Sequence, residues 1–311
     1  MALLLDIRSP EWMTEQQLEE ILQPMLPDVD IYCSHPGDQA EKITMLATVK
    51  LHPGVVAGLP NLQLVQKLGA GVDGIVGDPD IDPSIRVTRL KPDIPAHEIA
   101  EYCLTYVLQN QRNLLFHIEN QTNKQWITEP PRKSGSTTVA VLGLGHIGAR
   151  TAAYFAALGF RVIGWSRSSK TIAGVQCRHG DEALDGVLEQ ADYVACILPS
   201  TQDTVNLFNA DRLSRLKPGA LLINAGRGDL IVEQDLLDAL DAGVLGGAVL
   251  DVFHTEPLPE NHQFWTHPKV IVTPHVSGWH LDGGLEDIAE NYKRLSSGAP
   301  LINLVDRQAG Y

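Results

Sequence analysis

From Thr137 to Val272, short apolar runs rich in β-branched residues alternate with longer stretches of helical periodicity. No other feature constrains the fold as tightly. The pattern predicts strands at 138–142, 161–165, 193–198, 220–223, 247–250 and 270–272, with helices at 146–158, 181–190, 210–216 and 233–242. Strands separated by helices cannot pair as hairpins; they run parallel, and helices cover both faces of their sheet. A less regular series precedes this one, with strands expected at 2–7, 29–33, 43–49, 62–68 and 85–88 and a helix at 14–23. A long helix is expected over 96–120, with Ile99, Cys103, Tyr106, Val107, Asn110, Leu114 and His117 near one face, followed by a polar loop to Ser136. A last helix, at about 283–296, is too small to be a domain and must dock on another part of the chain, for which the first series is the candidate. The chain therefore reads as α/β with two domains, residues 1–98 with 283–311 and residues 99–282, the second with a sheet covered on both faces.

A chain of 311 residues is long enough for two such cores. Its formal charge of −14, from 24 Lys plus Arg against 38 Asp plus Glu, argues against nucleic acid or an anionic membrane as partner. An anionic ligand must then be drawn in by locally placed cations. Cys33, Cys103, Cys177 and Cys196 are scattered, without metal-ligand spacing, and are expected to be reduced thiols. The start, Met1-Ala-Leu-Leu-Leu-Asp6, lacks the basic segment and apolar length of a signal peptide, and no run approaches a membrane span. A cytoplasmic protein is expected.

The first strand of the second series, Val139-Ala-Val-Leu142, runs into Gly143-Leu-Gly145-His-Ile-Gly148 and then a helix. A GxGxxG alone is weak, but after a strand and at a helix start it has the context of dinucleotide binding. Pyrophosphate sits at such a helix end, where unpaired N–H groups and the dipole favour anions. The next strand ends at Ser166-Arg167-Ser168, with Lys170 close behind. An acidic residue there would accept from a ribose 2′-hydroxyl, whereas an arginine holds a 2′-phosphate. The pattern favours NADP(H), with NAD(H) as the alternative.

Three segments follow the last three predicted strands: Asn224-Ala-Gly-Arg227-Gly, Asp251-Val-Phe-His-Thr-Glu256-Pro-Leu and Thr273-Pro-His275-Val-Ser-Gly278. Ligands bind in open α/β sheets beyond the carboxyl ends of the strands. Arginine grips a carboxylate by a two-pronged charged hydrogen bond. An imidazole can give up a proton near neutral pH, and a neighbouring carboxylate favours its protonated form. This is equipment for acid–base chemistry on a small anion. His254, His262 and His267 are expected to be surface residues.

Taken together, these motifs resemble the D-isomer-specific 2-hydroxyacid dehydrogenases over nearly the whole chain. Leu68-Gly-Ala-Gly-Val-Asp73, Trp165-Ser-Arg167 and the tail Val305-Asp-Arg-Gln-Ala-Gly-Tyr311 resemble the bacterial glyoxylate/hydroxypyruvate reductase A branch. The resemblance implies two Rossmann-like doubly wound domains with a cleft between them, and a homodimer formed through the cofactor domains. It implies that Arg227 binds the carboxylate and carbonyl oxygen of a small 2-oxoacid, that His275 is the general acid in reduction, and that Glu256 is its partner. Ala70 and Gly71 would offer N–H groups to the same carboxylate. Around the cofactor it places Gly143, Gly145, His146, Ile147 and Gly148, then Ser166, Arg167 and Ser168. Leu198, Pro199 and Thr204 would border it. Asn224, Ala225, Gly226, Asp251, Ser277 and Gly278 would surround the nicotinamide.

The chain departs from that branch in two places. No tryptophan stands in Thr48-Val-Lys50-Leu-His52-Pro53, where relatives carry one, and Trp279-His280 is an unusual bulky pair. An NAD-dependent dehydrogenase of another D-2-hydroxy acid is one alternative, and a nucleotide-sensing scaffold on the same fold is another. Glu256 stands where formate dehydrogenases of the family carry glutamine.

Overall fold

The computed structural model describes residues 1–9, 12–281, 283–307 and 310. The chain divides into two compact units, Met1–Ile94 with Trp279–Tyr311, and Pro95–Gly278. Gln308, Ala309 and Tyr311 of the tail motif lie outside the described residues.

The first unit contains β1 (Ala2–Asp6), α1 (Glu15–Leu22), β2 (Ile31–Cys33), β3 (Ile43–Thr48), β4 (Leu64–Lys67), α2 (Asp73–Val76) and β5 (Arg86–Arg89). Its strands form one parallel sheet in the order β2-β1-β3-β4-β5. Alternate side chains serve opposite faces, as strand geometry requires. Leu3, Leu5, Met45 and Ala47 pack with Leu18 and Leu22 of α1 and with Ile288, Tyr292 and Leu295 of the tail helix Glu286–Ser297. Leu4, Leu46, Val65 and Val87 turn to the other face, against Ile75 of α2. The tail helix is pinned by buried Asn291, which donates to Gln66 Oε1 (2.9 Å) and accepts from Ile302 N–H (2.9 Å).

The second unit holds α3 (Asp93–Gln111) from Pro95 onward, α4 (Leu114–Thr122), β6 (Thr138–Leu142), α5 (His146–Ala157), β7 (Arg161–Ser166), β8 (Val175–His179) and α6 (Asp181–Leu188). After these come β9 (Tyr193–Cys196), α7 (Ala210–Ser214), β10 (Ala220–Asn224), α8 (Glu233–Asp241), β11 (Leu245–Leu250) and β12 (Val270–Val272). The seven strands are parallel, in the order β12-β11-β10-β9-β6-β7-β8. Val139, Val141, Ala195 and Ile223 face α3 and α5, whereas Ala140, Leu142, Val194 and Leu222 face α6, α7 and α8. Helices thus cover both faces of the sheet. The strand order reverses between β6 and β9, the switch point where such sheets bind ligands.

The structure corrects the sequence reading in several places, beginning with the unanticipated short helix α2. The single helix expected over 96–120 is two helices, because Asn113 adopts the left-handed conformation (φ 54°) and ends the first run. The buried face therefore stops short: Leu114 is 49% exposed and His117 is exposed as well. The strand β8 was not anticipated. It is an edge strand whose Gln176, Arg178 and His179 are exposed, so it carries no apolar run to read. All four cysteines are free thiols, and among the described residues no helix is long and apolar enough to cross a membrane.

Candidate active site

The sheet order places β10, β11 and β12 side by side, so the segments beyond their carboxyl ends are neighbours. Arg227 follows β10, Glu256 follows β11 and His275 follows β12. Residues distant in sequence therefore meet because three parallel strands end at one edge.

The loops themselves interlock. A β-carbon on Gly228 would stand 2.0 Å from the Phe253 carbonyl carbon, so only glycine lets the β10 loop lie against the β11 loop. Asn224, fully buried, staples its own turn by donating to the Arg227 carbonyl (2.8 Å) and accepting from Gly226 N–H (3.1 Å). Arg227 Nη1 donates to the Gly226 carbonyl (2.6 Å). Ala225 is buried beside them.

Glu256 and His275 form a direct pair, with Nδ1 of the imidazole 2.8 Å from Oε2. The other carboxylate oxygen accepts from Phe253 N–H (2.9 Å). Burial pushes the Glu256 carboxyl up. The hydrogen bond and charge of His275, the Phe253 N–H and the Arg227 guanidinium outweigh it and hold the group below the usual carboxylate range. Glu256 is therefore an anion at neutral pH, and an anion can only accept, so Nδ1 carries the proton toward it. Nε2 is the nitrogen left to trade a proton with a substrate. The His275 side chain is 51% exposed, open enough to meet one.

The backbone of His275 lies in the left-handed region (φ 55°), uncommon for a residue with a β-carbon and often found at functional sites. Its N–H donates to the Asp251 carbonyl (2.9 Å). The Asp251 carboxylate, fully buried, accepts from Val276 N–H and Ser277 N–H (both 2.9 Å). Asp251 thus holds the turn that presents His275. Ser277 is buried, and Gly278 packs closely on Ile99 of α3. The sequence pattern did not single out Tyr102 on α3 or the Thr273 hydroxyl, which join this network (2.7 Å apart). The helical spacing from Ile99 to Tyr102 was the signal available.

At the switch point, Gly143 has φ 96°, and a β-carbon there would stand 2.7 Å from the Ile197 carbonyl. Gly148 lies so close beneath that a β-carbon would fall 1.6 Å from the Gly143 carbonyl oxygen. Around Gly145, the residue before the first turn of α5, a β-carbon would meet nothing within 4 Å. The loop is thus packed from below and open above, the shape a pyrophosphate requires. His146 and Ile147 form the first turn of α5.

Ser166 ends β7, buried, its hydroxyl donating to the Ser168 carbonyl (2.8 Å), while Arg167 and Ser168 are exposed beside it. Leu198 is buried and Pro199 half-buried beyond β9. The Thr204 hydroxyl braces its own loop, donating to the Pro199 carbonyl (2.7 Å) and accepting from Thr201 N–H (2.8 Å). His262 and His267 lie against Glu233 and Asp241.

Ala70 and Gly71 belong to the first unit, in the half-buried loop between β4 and α2. Arg89 Nη1 donates to the Ala70 carbonyl (3.0 Å). Trp279 and His280 are exposed. Among the described residues no cluster of His, Cys, Asp and Glu could hold a metal ion.

The NAD-binding-domain model of the D-isomer-specific 2-hydroxyacid dehydrogenases matches residues 104–277. Over 296 residues the chain is 36% identical to glyoxylate/hydroxypyruvate reductase A of Serratia proteamaculans, covering 93% of this chain and 94% of that protein. A D-isomer-specific 2-hydroxyacid dehydrogenase of Xanthobacter autotrophicus, solved with NADPH and MES, superposes with a TM-score of 0.92 at 37% identity, covering 100% of this chain and 99% of that one. The NADPH-dependent glyoxylate/hydroxypyruvate reductase of Sinorhizobium meliloti, solved with NADP and sulfate, gives 0.91 at 31% identity, with 100% and 99% covered.

Proposed function

The chain belongs to the D-isomer-specific 2-hydroxyacid dehydrogenase family, and from that membership we propose that it reduces glyoxylate to glycolate and hydroxypyruvate to D-glycerate with NADPH. As a member it is an NAD(P)-dependent oxidoreductase of small 2-oxo and 2-hydroxy acids. The observation that carries the proton-transfer roles is the Glu256–His275 pair, set beside Arg227 beyond three adjacent strands; the substrate and NADPH follow what the similar proteins are named for.

When bound, the reduced nicotinamide supplies the hydride. Arg227 holds the substrate's carboxylate and stabilises the charge that grows on the ketone oxygen. His275 Nε2 delivers the proton that quenches it, while Glu256 keeps the ring oriented through Nδ1. The Gly143–Gly148 loop and the first turn of α5, with His146 and Ile147, would hold the pyrophosphate. Ser166, Arg167 and Ser168 would take the 2′-phosphate, and Leu198, Pro199 and Thr204 would flank the cofactor. Asn224, Ala225, Gly226, Asp251, Ser277 and Gly278 would frame the nicotinamide. The open space above Gly145 supports this assignment.

We also assign the exposed apolar residues Leu115, Phe116, Ile118 and Trp126, the last 99% exposed, to contact with a second copy of the chain. The free thiols suit a reducing compartment such as the cytoplasm.

A panel of 2-oxoacids offered with NADPH or NADH, followed by nicotinamide absorbance, tests the reading. Glyoxylate and hydroxypyruvate should be turned over, and faster with NADPH. Turnover only of larger 2-oxoacids with NADH would replace it by a different dehydrogenase, and no turnover at all would favour a nucleotide-sensing scaffold.

A further inference from the structure

Asp251 is fully buried, yet its carboxylate meets more than the two backbone N–H groups of the His275 turn. Thr273 Oγ1 donates to Oδ1 at 2.6 Å. A threonine hydroxyl has one proton to give, and here the carboxylate, which only accepts, takes it. The Tyr102 hydroxyl lies 2.7 Å from the same Thr273 oxygen, so Tyr102 must be the donor in that contact. Burial pushes the Tyr102 phenol up, which keeps its proton in place across ordinary assay conditions. The polarity of the chain is thereby set: Tyr102 to Thr273, Thr273 to Asp251. At its far end the Asp251 carbonyl accepts the His275 N–H (2.9 Å) at a residue whose φ of 55° is unfavourable without support.

We propose that Tyr102 is a positioning residue for His275, acting through the Thr273 hydroxyl and the Asp251 carboxylate to hold the 273–277 turn in its left-handed conformation. The inference rests on reading His275 as the proton donor. Packing alone is a separable contribution. The Tyr102 ring stacks edge-on with Tyr106, centroids 4.8 Å apart, and phenylalanine would keep that contact.

The test uses the full chain with saturating NADPH and varied glyoxylate, measuring kcat, KM, NADPH affinity and thermal melting. Thr273→Val keeps the side-chain shape without the hydroxyl, and Thr273→Ser keeps the hydroxyl without the methyl. The valine variant should lose roughly 10- to 100-fold in kcat, the scale on which a slightly misplaced reacting group is felt. NADPH affinity should hold, and the serine variant should recover most of the rate. Tyr102→Phe should lower kcat by less and add little in the valine background, since members of one chain are not additive. Wild-type kcat in the valine variant, no rescue by serine, or full additivity would overturn the proposal. If the valine variant does not fold, Tyr102→Phe decides: a wild-type kcat with a wild-type melt defeats the inference. Should His275→Ala be inactive while these variants run normally, only this inference fails. Should His275→Ala retain its rate, the reading beneath it fails instead.

Discussion

Glu256 remains ionised below the usual carboxylate range because His275, Phe253 N–H and Arg227 outweigh the cost of its burial. At any neutral assay pH the imidazole therefore faces an anion at 2.8 Å. Glu256→Gln removes that anion and leaves the ring without its charged orienting partner, so the rate of reduction should fall. A wild-type rate would show that the pair does not act in turnover. For stability, a depressed carboxyl stabilises the fold above the unfolded pKa and loses that contribution as pH drops through the folded one. Acid melts of Glu256→Gln should accordingly be flatter in that window. Arg227→Lys keeps charge but loses the two-pronged grip, and kcat/KM should fall about 100-fold or more. At Arg167 the expectation concerns cofactor choice. A charge-assisted bond is worth about 1.5–3 kcal/mol, so Arg167→Ala should weaken NADPH roughly ten- to a hundredfold and spare NADH. Equal weakening of both cofactors by titration would make Arg167 a surface charge only.

The helix α5 and the loop before it separate two roles of glycine that one motif conceals. At Gly148 a β-carbon would collide with the Gly143 carbonyl at 1.6 Å, so Gly148→Ala must push α5 off β6 and should lower the melting temperature together with cofactor binding. At Gly145 the space is open and φ is −75°, so Gly145→Ala should melt like wild type and yet bind NADPH more weakly, its methyl standing where phosphate approaches. Equal stability loss in both variants would contradict this division. Most strands of the second unit were legible because they carry an apolar run, such as buried Val139–Leu142, and the glycine motif followed one of them. The strand β8 was not, since an edge strand with Gln176, Arg178 and His179 exposed has no such run. Nor was the break at Asn113, where one left-handed residue ends a helix that the apolar spacing would continue. In the site, Arg227, Glu256 and His275 stood out because charged residues rarely follow buried strands without cause. Tyr102 did not, because a tyrosine on an amphipathic helix reads as packing until its hydroxyl is seen against Thr273.

The two units differ in how they are closed. The second is continuous, with its sheet faces covered by its own helices. The first needs the tail helix, whose Ile288, Tyr292 and Leu295 complete one face and whose Asn291 reaches Gln66. A fragment spanning 95–278 should therefore melt cooperatively and bind NADPH without turnover, whereas 1–94 alone should show no cooperative melt. A cooperative 1–94 would show the tail helix to be dispensable. The formal charge of −14 works against every anionic ligand, so the local cations must supply the attraction. Their effect should be screened by salt, raising KM for glyoxylate. The central claim is narrower than any of these: a proton from His275 completes the reduction. The direct measurement is the rate of glyoxylate reduction by His275→Ala with NADPH, alongside NADPH binding by fluorescence. Removing a positioned acid costs about 10²–10⁴-fold, so the rate should fall within that range while NADPH affinity stays as in wild type. A near wild-type rate in a variant that binds NADPH normally would contradict the account.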